Sequence, residues 1–214
     1  DPEEHVQSLA EFLRSVCPHR PAILVASGLT SQVALLLAAK HPELIARLIL
    51  FLPTRLQDSS QAQTMGLVSG SMIPGVGRFI YHRHTSRPPF IRAWLSRTGY
   101  SNAENLAEET VEVLASSSQQ YGAEHAILGL LKNRKKYDAS PRLSDILAPA
   151  HILWPARAPA FPLSEATTLV RQLPKTSLEV LNDCSAFAPM ETPAILVRSL
   201  THWLDGDLAE NLPA

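Results

Sequence analysis

The sequence predicts an α/β protein: a parallel sheet of about four strands, flanked by helices and interrupted by a long helical insertion. Three observations point there. Four short segments read as strands: Ala22–Ala26 (AILVA) and Leu48–Leu52 (LILFL), apolar throughout as strands buried on both faces are, and His151–Trp154 (HILW) and Ser177–Leu181 (SLEVL). Helix-forming segments separate the members of each pair, as parallel pairing requires. Between the pairs, roughly residues 54–147 show no strand pattern at all.

Residues 1–18 read as an amphipathic helix, with Val6, Leu9, Phe12, Leu13 and Val16 at helical spacing and Glu3 and Glu4 in the first turn. After the loop signal Pro-His-Arg-Pro comes the first strand, then a turn of small residues over 27–31. A helix over 32–40 (QVALLLAAK) ends at His41-Pro42, and the second strand ends at Pro53. Residues 150–206 repeat the theme, with helices expected over 164–172 and 193–204. The predicted core is therefore residues 1–53 and 148–214, and the predicted cap is residues 54–147. Within the cap lie an apolar, Gly- and Ser-rich stretch (Met65–Gly77), an aromatic segment with Phe79, Tyr81, Phe90 and Trp94, and helices near 103–119 and 122–136.

Composition narrows the function classes. The 214 residues are 45% hydrophobic and 18% charged with net charge −1, a profile of a globular chain with one substantial core. No run of about 18 apolar residues occurs, so no spanning helix is expected, though peripheral membrane contact stays open. Cys17 and Cys184 are too far apart in sequence to suggest a disulfide framework, no metal-ligand spacing is present, and a reducing compartment such as cytoplasm is the expectation. Gly75-Val76-Gly77 lacks the strand and helix context of a dinucleotide site, so no cofactor is expected. The chain opens at Asp1 with neither Met nor signal peptide, which leads us to expect an upstream piece, including N-terminal strands, outside this sequence.

Charge in the cap is segregated. Residues 59–103 hold five arginines, Arg78, Arg83, Arg87, Arg92 and Arg97, and no acid. Residues 104–124 hold five glutamates and no base, and Lys132, Arg134, Lys135 and Lys136 follow. Solvated faces that pair with one another account for this pattern, and a docking surface for a protein partner is the sharper reading. Near-neutral overall charge and the lack of a recognisable module argue against nucleic acid.

The ungapped stretch from Pro21 to Pro53 (PAILVASGLTSQVALLLAAKHPELIARLILFLP) resembles the nucleophile region of the α/β-hydrolases, where a strand feeds Gly-x-Ser-x-Gly, then an Ala/Leu-rich helix and His-Pro-Glu. Leu153-Trp154 and Glu191-Thr192-Pro193 resemble that family's later motifs, and about 90 residues carry the similarity. The phrase HTSRPPFIRAWL resembles caps of cyanobacterial and chloroplast hydrolases, which adds chloroplast stroma to the expected compartments.

The resemblance implies a serine nucleophile, a histidine base and an orienting acid. Carried across, these positions fall on Gly28, Ala186 and Ala158, so all three are emptied; Leu29 takes the place of the residue whose N–H helps to hold an oxyanion. Thr30 stands where the family prefers glycine, and is expected to widen the turn. Ser27 is one residue early and would face away from the site if it kept strand geometry. Ser31 reads as a cap or first-turn residue, and Asp183 as a turn residue after a strand. His82, His84 and His125 read as surface histidines and Cys184 as small and buried, although each has the chemistry of a substitute. The expected function is a non-catalytic hydrolase-like protein serving as a binding or structural subunit. Two alternatives are a small-molecule binder using the apolar space under the cap and an enzyme, ester hydrolase or lyase, with displaced catalytic residues.

Overall fold

The computed structural model describes residues 1–55 and 75–210; most of the Met65–Gly77 stretch lies outside the described residues. Four parallel strands run in the order β1-β2-β3-β4: β1 Ala22–Ser27, β2 Ile45–Phe51, β3 Ala150–Arg157 and β4 Thr176–Ser185. The central strands β2 and β3 are the apolar ones, and Leu48, Ile49, Leu50, Ile152, Leu153 and Trp154 are all buried. Covering both faces leaves no room for polar alternation, which is why these strands read as continuous apolar runs.

Helices α1 (Pro2–Val16), α2 (Leu29–Lys40) and α7 (Leu163–Gln172) join the strands into one core with Leu35, Leu37, Phe161 and Ala166. Asp1 and Glu4 close a capping box on α1. The buried stripe of α1 is Val6, Ala10 and Leu13; Phe12 and Val16, expected on that face, are more than half exposed. On β1, an edge of the sheet, Ile23 and Val25 are exposed too.

The C-terminal helix α9 (Pro193–Glu210) packs on the sheet through polar contacts. Glu179 accepts hydrogen bonds from Ser199 Oγ (2.7 Å) and Trp203 Nε1 (2.8 Å), and the Trp203 carbonyl accepts from Arg47 (3.3 Å). His151, 3% exposed, lies against the Trp203 ring and pairs through Nδ1 with Ser177 Oγ, while its Nε2 has no hydrogen-bond partner. Burial pulls this imidazole down to about 4, helped by Arg47 and His202 and opposed by Glu179.

Between β2 and β3 the described residues form helices and no strand. Helix α3 (Val76–Ile80) runs on through a π-turn to Thr85, and α4 (Pro88–Trp94) through another to Gly99. Helices α5 (Glu108–Ser118) and α6 (Ala123–Lys132) follow. The helix expected over 103–119 is split: Asn102 caps a 3-10 turn at Ala103–Asn105, and α5 starts afresh at Glu108. This helical segment has its own small core, which includes Ile91, Leu95, Leu106, Val111 and Ala115. No described helix is long and apolar enough to cross a membrane.

Candidate active site at the carboxyl end of the sheet

β1 ends at Ser27, and the chain turns into α2 at Gly28, whose φ of 55° and ψ of −127° are left-handed values that a side chain resists. Its N–H donates to the Phe51 carbonyl (2.9 Å), which fixes the turn against β2. Thr30 bonds back across this turn. Its hydroxyl donates to the Ser27 carbonyl (2.8 Å) and lies 3.2 Å from the Ser27 N–H as acceptor, so the β-branched residue brackets the bend.

Gly28 opens onto a cleft of about 360 Å³. Ser27, Leu29, Leu52, Trp94, Phe161, Ala186, Phe187 and Met190 line it, with Thr54 and Arg55 as its other polar residues. Gly28 and Ala186 therefore share one space, although they lie on strand ends far apart in sequence. The last pair of β3 with β4 is Arg157 with Ser185; Ala158 follows β3 directly, is 5% exposed and is not among the residues that line the cleft. A tight turn holds it, Phe161 N–H donating to the Ala158 carbonyl (2.8 Å) and Trp154 Nε1 to the Phe161 carbonyl (3.2 Å). Leu52, at φ 47°, is the one described non-glycine residue in the left-handed region, and it too lines the cleft.

The other wall draws on the helical segment between β2 and β3. The Phe187 ring meets Trp94 edge-on (5.5 Å between centroids) and stacks on Tyr100 (6.3 Å). Phe187 N–H donates to the Gly99 carbonyl (3.1 Å), and a Cβ on Gly99 would lie 2.5 Å from the ring. Glu191, on the short helix α8 (Ala188–Glu191), accepts from Ser101 N–H (3.0 Å), Ser101 Oγ (2.8 Å) and Asn102 N–H (3.3 Å). Burial alone would raise this carboxyl, but the hydrogen bonds from Ser101 and Asn102 hold it below the usual range.

Solved structures similar to this one are hydrolases. A membrane phospholipase A, described as a bacterial virulence factor, matches over 99% of this chain and 64% of its own, with a TM-score of 0.71 and 19% identity. A meta-cleavage product hydrolase from Pseudomonas fluorescens IP01 matches over 97% and 72%, at 0.75 and 13%. Est816, an N-acyl homoserine lactone degrading enzyme, matches over 94% and 74%, at 0.68 and 16%. This chain has the α/β-hydrolase fold. It spans 64% of the length of the phospholipase, and at these identities the likeness is one of fold alone. No protein-family model and no curated protein sequence matches the chain.

On this hydrolase fold the remaining candidates fall in different places. Ser27 is among the residues that line the cleft, and as the last residue of β1 it continues the exposed face of Ile23 and Val25. Ser31 sits in the first turn of α2, fully buried, with no partner for its hydroxyl, and does not line the cleft. Asp183 is not in a turn: β4 runs on through it, and it pairs with Arg157 (2.7 Å) at the exposed surface. Cys184 is buried beside Thr192, and burial pushes its thiol up. His82 and His125 stand near Glu124 and His84 packs on Phe90, so none reaches the cleft.

The basic residues have different partners among the described residues. Arg92 pairs with Glu108, Lys136 with Asp1 (3.1 Å), and Arg134 donates to the Leu131 carbonyl (3.0 Å). Arg78, Arg83 and Arg87 border one open groove, whereas Arg97, Lys132 and Lys135 lie exposed elsewhere.

Proposed function

We propose that this chain is a non-catalytic α/β-hydrolase-fold protein that keeps its cleft as a binding site for a small apolar ligand. The observation that carries this reading is the lining of the cleft: Gly28 and Ala186 open onto one apolar space, and among the described residues no histidine and no carboxylate lines it. A serine needs a base within hydrogen-bond reach to become a nucleophile, and Ser27 has none there. The volume lies at the small end of the range for ligand sites, and the wall is aromatic and aliphatic. Internal pairing of Arg92, Lys136 and Arg134 weakens the reading of a broad protein-docking surface.

N-phenyl-1-naphthylamine, neutral and apolar, tests the reading. Its fluorescence should rise on binding and fall back with Met190→Trp, which fills the mouth from a half-exposed position. A fluorophosphonate probe should label nothing, and p-nitrophenyl butyrate should not turn over above buffer. Turnover abolished by Ser27→Ala would overturn the non-catalytic reading, and absence of probe binding would overturn the ligand reading.

A further inference from the structure

We infer that the outer face of α3, with its π-turn, docks the protein on an anionic phospholipid surface, whatever the cleft holds. The inner side of this segment is fixed: Gly77 and Tyr81 are buried, and Tyr81 Oη donates to the Ser118 carbonyl (2.7 Å). Gln119 Nε2 donates to the Ser86 carbonyl (3.0 Å) and ties down its end. What faces outward follows from helical spacing. Val76, Phe79 and Arg83 fall on one stripe, and Phe79 is 67% exposed. A large aromatic side chain projecting from a cationic face is the composition of an interfacial helix, which inserts apolar groups and pairs cations with lipid phosphates.

The charges complement that role. Arg78, His82, Arg83 and Arg87 border an open groove of about 410 Å³ beside Phe79. The acid this patch touches, Glu124, is buried and already engaged by Arg78 (3.4 Å), with His82 (3.9 Å) and His125 (3.6 Å) close by. Its charge is therefore offset from within. Arg83 and Arg87 have no acidic partner among the described residues, and Arg87 Nε donates to the His82 carbonyl (3.0 Å), which holds the guanidinium at the groove. A soluble polyanion would use the arginines and leave Phe79 idle; a lipid surface uses both. That difference selects the partner.

The test is co-sedimentation of the full chain with vesicles of phosphatidylcholine alone and of phosphatidylcholine mixed with phosphatidylglycerol. Binding is expected only to the mixed vesicles, and it should weaken with salt. Arg83→Glu with Arg87→Glu should weaken it roughly 30-fold or more, and Phe79→Asp should weaken it at any salt. All three positions are exposed, so circular dichroism and the melting temperature should match the wild type. Equal binding to neutral vesicles, or retention by the double arginine variant, overturns the proposal. So does a Phe79→Asp variant that binds as the wild type does, since the patch would then be a site for soluble polyanions.

Discussion

Replacing Gly28 by alanine isolates the backbone conformation on which the site reading turns. An added Cβ would meet no heavy atom within 4 Å, so steric overlap contributes nothing. What remains is φ 55°, and holding a non-glycine residue there costs about 1–3 kcal/mol. Alanine also narrows the unfolded ensemble, which offsets about 0.4–1 kcal/mol. The net expectation is a loss of about 1–2 kcal/mol, or a melting temperature lower by about 2–8 °C. Gly129 supplies the control: it lies inside α6, where a Cβ again meets nothing, so Gly129→Ala should stabilise by up to about 1 kcal/mol. Urea unfolding followed by circular dichroism would read both. The same substitution should thus act with opposite sign at two unobstructed glycines. If Gly28→Ala stabilised the protein as Gly129→Ala does, the bend after β1 would not be left-handed, and the assignment of Gly28 to a nucleophile elbow would fall.

Three further outcomes can be checked. His151 is held near 4 when folded against 6.5 when free; below pH about 6.5 the unfolded chain takes up a proton that the folded one refuses. Stability should therefore be complete above that pH and fall by about 3 kcal/mol as the pH drops to 4, a slope that His151→Asn should flatten in pH-dependent urea melts. Gly99→Ala should force the Phe187 ring from its seat, costing about 1–3 kcal/mol and changing N-phenyl-1-naphthylamine affinity; an unchanged affinity would separate that ring from the cleft. Glu191→Gln removes a charged acceptor shared by Ser101 and Asn102, at a cost of about 1–3 kcal/mol, and hydrogen exchange at those two amides should quicken while that at β2 does not.

The sheet was readable because its central strands, β2 and β3, are buried on both faces and so appear as apolar runs, but the strand ends were not. Ala46-Arg47 hid the start of β2, since the Arg47 guanidinium finds its acceptor on α9, far along the chain. Asn182-Asp183 looked like a turn and is strand, because Asp183 meets Arg157 on the next strand. Phe12 and Val16 fit helical spacing yet are exposed, since periodicity does not say how wide a face the neighbours cover. At the site, Gly28 and Ala186 were placed by motif flanks. The cleft they share, the aromatic wall from Trp94, and the Glu191 clamp depend on contacts between distant segments, and no local pattern announces those.

The pairing of β2 with β3 bears on how the molecule assembles. That seam carries four residue pairs, against six between β1 and β2 and seven between β3 and β4. Its partners are also the most distant in sequence, with the whole insertion of residues 52–149 between them. Loop closure over such a span is entropically costly before any contact rewards it, so the two outer pairs should form first, as local βαβ units, and the seam last. Gly28 belongs to one unit and Ala186 to the other. The cleft thus comes into being only at the last step of folding, and slow opening of the seam would dismantle it while each half kept its own strands paired.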